Sequence, residues 1–590
     1  MKSIGSVRVF HLAALAIALA AGSLRFVNLD GRPLDGHEAR LALGAASAGP
    51  HASPFWDAAS SPETEPGYSA PTSLIFQFFG ATEWGARAVP AVAGTLLVLL
   101  PLLLHRELGQ ARSLASAGLL AFSPIAVAAS RSAGAATIAG LGLGIVFAAL
   151  FRGGRREARP GSASSAAPWL GLGLALAAGR PGYVGLMGFG CALALMKHGL
   201  RRDPLVAPSP GASSTRHLWI APLVAVVIVA GVGFTPSFLP GLFSGLGEWI
   251  GGWTRFGGMA AGPALATVVL YEPMLVLLGL AAAWSGIRRR EPVDSAAAAW
   301  ALGSLLVVFA YPSRRPEDLI WIILPLCLLG GDALVSLMER ERPAEQAAGL
   351  GGLAAVLVVL LAFASVQFSA FGHSQGPAFT GYTPAASLWL GVGAILIAVV
   401  VTALFGAGWS FALAADAGAI AGMAAAGAIT LASLWRLNFD PRGFGVGELY
   451  RPQASGPSLG LLVETTQAFS LASTGRSDSI PLDIHGDAPP ALAWALRRFP
   501  RRQPTFPAFT EQPPVVLARQ DEPPALGADY LGQIFLIGER WAWGGILPDD
   551  PVTWMVLREG RTVPERWLLL LRSDLVSLGE ADSAEGAVAP

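Results

Sequence analysis

The chain has 590 residues, of which 53% are hydrophobic and 14% are charged, and its 40 basic and 40 acidic residues cancel. This balance gives no sign of a nucleic-acid partner, and the apolar content is too high for one water-soluble core. Most of the apolar surface must therefore face lipid or other membrane helices. The two cysteines, Cys191 and Cys327, lie inside apolar stretches and predict neither a disulfide nor a metal site.

Apolar runs of membrane-spanning length dominate residues 1–436. With roughly 20 apolar residues for each crossing, they predict an α-helical polytopic membrane domain of about 13 transmembrane helices. The first run resembles a signal peptide but lacks a convincing cleavage site, so we expect it to be retained as a helix. The predicted spans are 9–24, 88–104, 113–129, 133–151, 168–178, 182–196, 218–236, 264–284, 296–311, 319–337, 349–367, 386–406 and 409–435.

Basic clusters alternate with these runs and predict the orientation. If all the clusters are cytoplasmic, as the positive-inside rule expects, the N-terminus is cytoplasmic and the protein spans the plasma membrane. An odd number of crossings then places residues 437–590 and the long first loop, residues 25–87, on the external side. The clusters are Arg106 with Arg112, Arg152 with Arg155 and Arg156, Lys197 with Arg201 and Arg202, Arg288 to Arg290, and Arg340 with Arg342.

The composition changes near Leu437 to a mixed sequence, which predicts an extracytoplasmic α/β domain over residues 437–590. Its final segment, 580–590, is expected to be disordered. No glycine-rich phosphate loop follows a predicted strand, so the domain indicates no nucleotide cofactor. The predicted strands are 460–465, 480–484, 514–518 and 533–537, and the predicted helices are 467–475 and 491–499.

Several short motifs occur in a characteristic order along nearly the whole chain. They are Arg32-Pro33-Leu34-Asp35-Gly36-His37-Glu38-Ala39-Arg40, Phe79-Gly80, Phe122-Ser123-Pro124, Ser130-Arg131, Phe234-Thr235-Pro236, Tyr271-Glu272-Pro273 and the tail segment 491–498. In these motifs the chain resembles the GT-C superfamily of membrane glycosyltransferases, and among them the flippase-activity-associated proteins of protein N-glycosylation. The resemblance implies a helical bundle with short amphipathic helices in the first external loop.

The chain departs from this family at several positions. The family's Asp-Glu pair appears here as His37-Glu38, and a second family acid is replaced by Ala136. A family His before Gly-Pro appears as the segment 68–71, and a Lys-Glu turn appears as the segment 179–181. Since hard cations need several oxygen ligands and Glu38 alone supplies too few, we expect no cofactor, and a divalent cation has little support.

The resemblance implies an acid/base role for Glu38, with Asp35 and His37 as further candidates. The imidazole of His37 titrates near neutrality and could serve as a general base, and the alternative is a surface or capping histidine. The alternative reading is structural: Asp35 would be the N-cap of a helix, and Glu38 would reach back to its backbone N–H.

Four arginines, Arg131, Arg180, Arg314 and Arg315, lie on the predicted external side, where a lipid phosphate would bind. The planar guanidinium suits bidentate binding of phosphate oxygens. Alternatively, these arginines snorkel or pair with Glu317 and Asp318.

Arg40 and Tyr271 are further site candidates, together with Glu272. Glu272 is an ionisable group at membrane depth, and such a group is functional unless a neighbouring helix pairs with it.

The resemblance implies a glycosyltransferase that moves a sugar from a polyprenyl-phosphate-linked donor to a glycan or protein acceptor at the external membrane face. A non-catalytic relative that binds lipid-linked glycans or assists their assembly or translocation is the open alternative, since several family acids are missing. A transporter is disfavoured because no pair of broken helices reveals an inverted repeat.

Overall fold

The computed structural model describes residues 2–47, 65–155, 166–199, 219–229, 238–289, 291–340, 344–374, 384–440, 447–456, 458–500, 513–527, 529–542, 554–555, 557–558, 560 and 561–575. Three sets of predicted features fall outside these residues, namely the disordered end at 580–590, the motif Phe234-Thr235-Pro236, and the basic-cluster members Arg156, Arg201, Arg202, Arg290 and Arg342. The centre of the first loop, residues 48–64, lies outside them as well.

Helices make up most of the described chain. In order they are α1 Lys2–Phe26, α2 Gly36–Ala46, α3 Pro66–Phe79, α4 Glu83–Leu103, α5 His105–Leu108, α6 Gln110–Ala121, α7 Pro124–Ser130, α8 Ala136–Arg155, α9 Ala167–Ala177, α10 Arg180–Gly199, α11 Ile220–Val229, α12 Gly241–Gly251, α13 Ala261–Tyr271, α14 Pro273–Arg289, α15 Pro292–Ala310, α16 Ile320–Met338, α17 Ala344–Ser374, α18 Pro384–Gly408, α19 Phe411–Phe439, α20 Ser458–Thr474 and α21 Pro490–Ala495. A 3₁₀ turn, Pro316–Leu319, precedes α16.

Seven of the described helices are long and apolar enough to cross a membrane, or up to nine if each of two bent pairs is one span. The bent pairs are α6 with α7, at 63°, and α13 with α14, at 92°. Each second helix begins at a proline, Pro124 or Pro273, and the residue before a proline is disfavoured in helical conformation. The predicted spans 113–129 and 264–284 fall on these pairs. The polytopic helical architecture is therefore confirmed.

The first loop folds as the sequence predicts, into two short helices, α2 and α3. Much of α3 is buried, including Tyr68, whose hydroxyl donates a hydrogen bond to the carbonyl oxygen of Ala86 at 2.9 Å. In the described part of the loop, α2 and α3 are therefore packed into the folded body.

The C-terminal segment forms a five-stranded sheet of order β1-β4-β5-β3-β2, in which only the β2–β3 pair is parallel. The predicted strands at 514–518 and 533–537 are confirmed, and the one at 480–484 overlaps β2. The predicted strand at 460–465 is wrong, because these residues belong to α20. The strands are β1 Gln453–Ser455, β2 Leu482–His485, β3 Val515–Arg519, β4 Tyr530–Trp541 and β5 Thr562–Arg572.

The sheet domain packs against the first loop and the start of α4. Ser455 donates a hydrogen bond to the carbonyl oxygen of Leu34 at 2.6 Å. Trp494 donates to the Glu83 carboxylate at 2.9 Å, and Arg497 donates to the carbonyl oxygen of Ala81 at 2.6 Å. These contacts place the segment before β1 directly above α2.

Candidate functional site

A polar cavity of about 730 Å³ lies where the first loop, the 3₁₀ turn before α16 and the segment before β1 meet. Its wall also includes residues of α12 and the first residue of α10. The titratable and charged residues of its lining are Asp35, His37, Glu38, Arg40, Arg180, Glu248, Arg255, Arg314, Arg315, Glu317, Tyr311, Tyr450 and Arg451.

Asp35 and Glu38 form a capping box at the start of α2. The Asp35 carboxylate accepts hydrogen bonds from the backbone N–H groups of His37 and Glu38, at 3.0 and 2.9 Å. Glu38 in turn accepts one from the Asp35 backbone N–H at 3.1 Å. This is the structural alternative that the sequence left open, and it fixes the direction in which α2 presents His37.

Glu38 is also the centre of a buried ion network. Its two carboxylate oxygens accept hydrogen bonds from Arg32 at 3.0 and 3.1 Å and from Arg87 at 3.0 and 2.8 Å, and the Ala133 backbone N–H adds one at 2.9 Å. Although burial raises it, the charges of Arg32 and Arg87 hold the pKa of Glu38 well below its usual range. Such a carboxylate is a weak base. The geometry favours the structural role, and the acid/base role of Glu38 stays a prediction.

A second acidic cluster combines His37 with Glu65 and Glu317. One ligand atom from each of the three side chains lies within 4.8 Å of the other two, and His37 Nε2 is 3.4 Å from Glu317 Oε1. Within the described residues, Glu65 Oε1 and Glu317 Oε1 are both buried without a hydrogen-bond partner. Both oxygens lie within ion-pair distance of Arg315, at 3.7 and 3.8 Å, so their charge is balanced while their capacity to accept a hydrogen bond or bind a cation is unused.

The cluster has the donor set of a divalent cation site. One imidazole and two carboxylates suit zinc or another transition metal, and three protein ligands leave positions open for substrate or water. Burial, followed by the charge of Glu317, raises the pKa of Glu65 to about 7. The Arg315 terminal nitrogen Nη1 lies 3.3 Å from His37 Nε2, 3.7 Å from Glu65 Oε1 and 3.8 Å from Glu317 Oε1. The Arg315 guanidinium thus supplies the positive charge among these three side chains, and a bound metal ion would take its place.

All four predicted phosphate-binding arginines contact protein groups. Arg131 donates to backbone carbonyl oxygens at the end of α1, including Val27 at 2.8 Å, and Arg314 donates to three carbonyl oxygens at 2.7 to 2.9 Å. Arg180 pairs with Asp318 at 2.7 Å, as the pairing alternative predicted. Arg315 also donates to Glu248 at 2.9 Å. Phosphate binding by these arginines stays a prediction.

The remaining predicted residues separate into two places. Arg40 lines the cavity. Tyr271 lies away from it, where it donates to the Glu448 carboxylate and accepts a hydrogen bond from the Leu449 backbone N–H at 2.9 Å. Glu272 accepts hydrogen bonds from the Ser123 hydroxyl and from the Ile125 backbone N–H, the latter at 3.0 Å. Glu272 therefore connects the bend between α13 and α14 to the bend between α6 and α7. It is paired with a neighbouring helix, as in the second of the two readings given from the sequence.

Sequence reasoning assigned no site role to Glu65, Arg87, Tyr450 or Arg451. It quoted Arg32 only as part of a motif and treated Glu317 only as a partner for arginines. Glu65 directly precedes Pro66 at the first position of α3, a typical helix start that could have placed it at the end of the loop. No spacing connects residues 37, 65, 317 and 451, so only the fold brings them together.

The comparisons with known proteins identify the architecture. The crystal structure of ArnT from Cupriavidus metallidurans bound to undecaprenyl phosphate aligns with a TM-score of 0.52 at 20% identity, covering 88% of this chain and 94% of that one. Its apo structure aligns with the same score at 19% identity, covering 98% and 99%. The chain has the GT-C fold.

The oligosaccharyltransferase of Archaeoglobus fulgidus in the apo form aligns with a TM-score of 0.44 at 14% identity, covering 83% of this chain and 64% of that one. No family model and no curated protein matches the chain. Assignment to the flippase-activity-associated branch stays a prediction.

Proposed function

We propose that this protein is a membrane glycosyltransferase that moves a sugar from a polyprenyl-phosphate-linked donor to a glycan or protein acceptor at the external membrane face. The observation that carries the proposal is the cavity with His37 and Glu317 in its wall and Glu65 within 4.8 Å of both. Support for the donor class comes from the shared fold, since ArnT was crystallised with undecaprenyl phosphate bound.

The cluster would hold a divalent cation through His37 Nε2, Glu65 Oε1 and Glu317 Oε1. When bound, such an ion supplies Lewis-acid stabilisation of the negative charge on a phosphate leaving group. The residues around it position these ligands: the capping box orients His37, and the Ala135 backbone N–H holds the other Glu65 oxygen at 2.6 Å.

Sugar transfer also requires that a proton leave the acceptor hydroxyl. Glu65 is the described carboxylate best suited to accept it, because it is buried next to His37 and Glu317, one of its oxygens makes no hydrogen bond, and burial raises its pKa to about 7. Attack opposite the phosphate would invert the sugar's anomeric configuration. Metal binding and proton transfer compete for the same oxygen, so only one of these roles belongs to Glu65 in a given step.

The test is transfer of labelled sugar from synthetic undecaprenyl-phosphate-linked donors by the purified protein in detergent. We expect the variants Glu65→Gln and Glu317→Gln to lose at least about 100-fold in rate, the first because it removes the proton acceptor and the second because it removes a ligand of the cation. The matched control is Glu464→Gln on the exposed face of α20, which should transfer at the wild-type rate. Wild-type rates in both cluster variants would overturn the assignment of the site.

The second candidate is a non-catalytic protein that binds lipid-linked glycans or assists their assembly. The observation that favours it is the engagement of Glu38, the one family acid retained, by Arg32 and Arg87. This candidate predicts saturable binding of undecaprenyl-phosphate-linked sugars with no turnover for any donor or added divalent metal. Turnover that the cluster variants abolish would exclude it.

A further inference from the structure

The segment that leads from the membrane domain into the sheet contributes to the cavity. Tyr450, Arg451, Pro452 and Gln453 all line it. Two backbone hydrogen bonds hold the segment in place. The Arg451 N–H donates to the Glu448 carbonyl oxygen at 3.0 Å, and the Trp541 N–H donates to the Pro452 carbonyl oxygen at 3.1 Å. Its side chains are therefore presented to the cavity by a well-anchored backbone.

Two consecutive side chains of this segment have unused hydrogen-bond donors. Arg451 is 5% exposed and Tyr450 is 4% exposed. Across the part of the chain that the structure describes, Arg451 Nε, Arg451 Nη2 and the Tyr450 hydroxyl make no hydrogen bond. Burying a guanidinium without hydrogen bonds is costly, so a ligand that accepts from these atoms would relieve the cost.

The surrounding charges favour an anionic ligand. Arg451 interacts electrostatically with Glu38 and Asp35, but the hydrogen bonds to Glu38 come from Arg32, Arg87 and two backbone N–H groups. Arg32, Arg87, Arg131 and Arg451 all interact electrostatically with Glu38, so basic groups outnumber the carboxylates of Glu38 and Asp35 here. Arg32 and Arg87 both repel Arg451, and an anion at Arg451 would reduce that repulsion.

We propose that Arg451 and Tyr450 bind the phosphate group of the polyprenyl carrier, so that the C-terminal segment completes the donor site of the membrane domain. This inference rests on the proposed function and names a binding element of the same cavity. The Arg451 fork offers two parallel N–H donors to phosphate oxygens, and the Tyr450 hydroxyl offers a third.

The test measures binding of undecaprenyl phosphate to the full-length protein in detergent by quenching of tryptophan fluorescence, with undecaprenol as the probe without phosphate. We expect Arg451→Gln to weaken undecaprenyl phosphate binding at least about tenfold, the loss expected for a charged hydrogen bond. Arg451→Lys should recover part of this loss, because it keeps the charge without the fork. Tyr450→Phe should weaken binding about threefold to tenfold.

The controls are Arg519→Gln, an exposed arginine at the end of β3, and Tyr530→Phe in β4, neither of which lines the cavity. Both should bind like the wild type, and undecaprenol binding should be equal in all variants. A thermal unfolding scan of each variant separates lost binding from lost folding. If Arg451→Gln unfolds early, Arg451→Lys and Tyr450→Phe decide the question.

Each outcome has a separate meaning. Equal undecaprenyl phosphate binding by the wild type, Arg451→Gln and Tyr450→Phe would overturn this assignment and leave the proposed function intact. Absence of undecaprenyl phosphate binding by the wild type would overturn both. If Arg451→Gln lost binding of inorganic phosphate but kept that of the lipid, the site would belong to another phosphate group, and the assignment to the carrier would fall.

Discussion

Substitution of Glu38 separates a structural role from a catalytic one. The two Glu38 oxygens accept six hydrogen bonds, four of them from Arg32 and Arg87. Arg87 is 0% exposed, so neutralising Glu38 leaves a guanidinium charge buried beside a neutral amide. Removing one partner of a buried ion pair costs about 3–5 kcal/mol. We therefore expect Glu38→Gln to destabilise the fold by roughly that amount.

The assay is a double-mutant cycle of unfolding free energies in detergent, with Glu38→Gln, Arg87→Gln and the double variant. Because the two side chains share two charged hydrogen bonds, we expect a coupling energy of about 1.5–3 kcal/mol. Glu464→Gln, which changes an exposed carboxylate, should stay within about 0.5 kcal/mol of the wild type. If Glu38→Gln unfolds like the wild type but transfers no sugar, the structural account is refuted and Glu38 is the catalytic acid/base.

Three further results are expected. Zinc should raise the unfolding temperature of the wild type but not that of Glu65→Gln, because an ion that binds only the folded state stabilises that state. Equal increases in unfolding temperature in the two proteins would contradict the metal site. Arg497→Ala removes the guanidinium that donates to the Ala81 carbonyl oxygen at 2.6 Å, so limited proteolysis should release the C-terminal domain faster. An unchanged rate would count against this docking contact. Gly182→Ala should lower the free energy of unfolding by about 1–3 kcal/mol, because a Cβ there would lie 1.8 Å from the Ala175 carbonyl oxygen. Gly190→Ala is the control, because a Cβ at Gly190 would meet no atom within 4 Å.

Local properties of the sequence account for what could be predicted. The length and apolar content of the spans require helices in a membrane, because backbone groups in lipid must be hydrogen-bonded within the segment. The spacing of Asp35 and Glu38 predicts a capping box, since both partners lie within one helical turn. The predicted strand at 460–465 is wrong because a short apolar run fits either a strand or a helix. Tertiary packing of the buried face of α20 selects the helix.

The chemistry of the site depends on contacts between distant segments. His37 comes from α2, Glu65 from the end of the first loop, Glu317 from the turn before α16 and Arg451 from the tail. The sequence predicts which arginines lie near the site. It does not predict which of them donate hydrogen bonds to carbonyl oxygens or carboxylates and which have N–H groups without an acceptor. That distinction is set by tertiary packing, because each guanidinium takes the nearest acceptors that the folded backbone offers. The sequence by itself determined the membrane architecture, and only the tertiary structure decided which charges meet in the cavity.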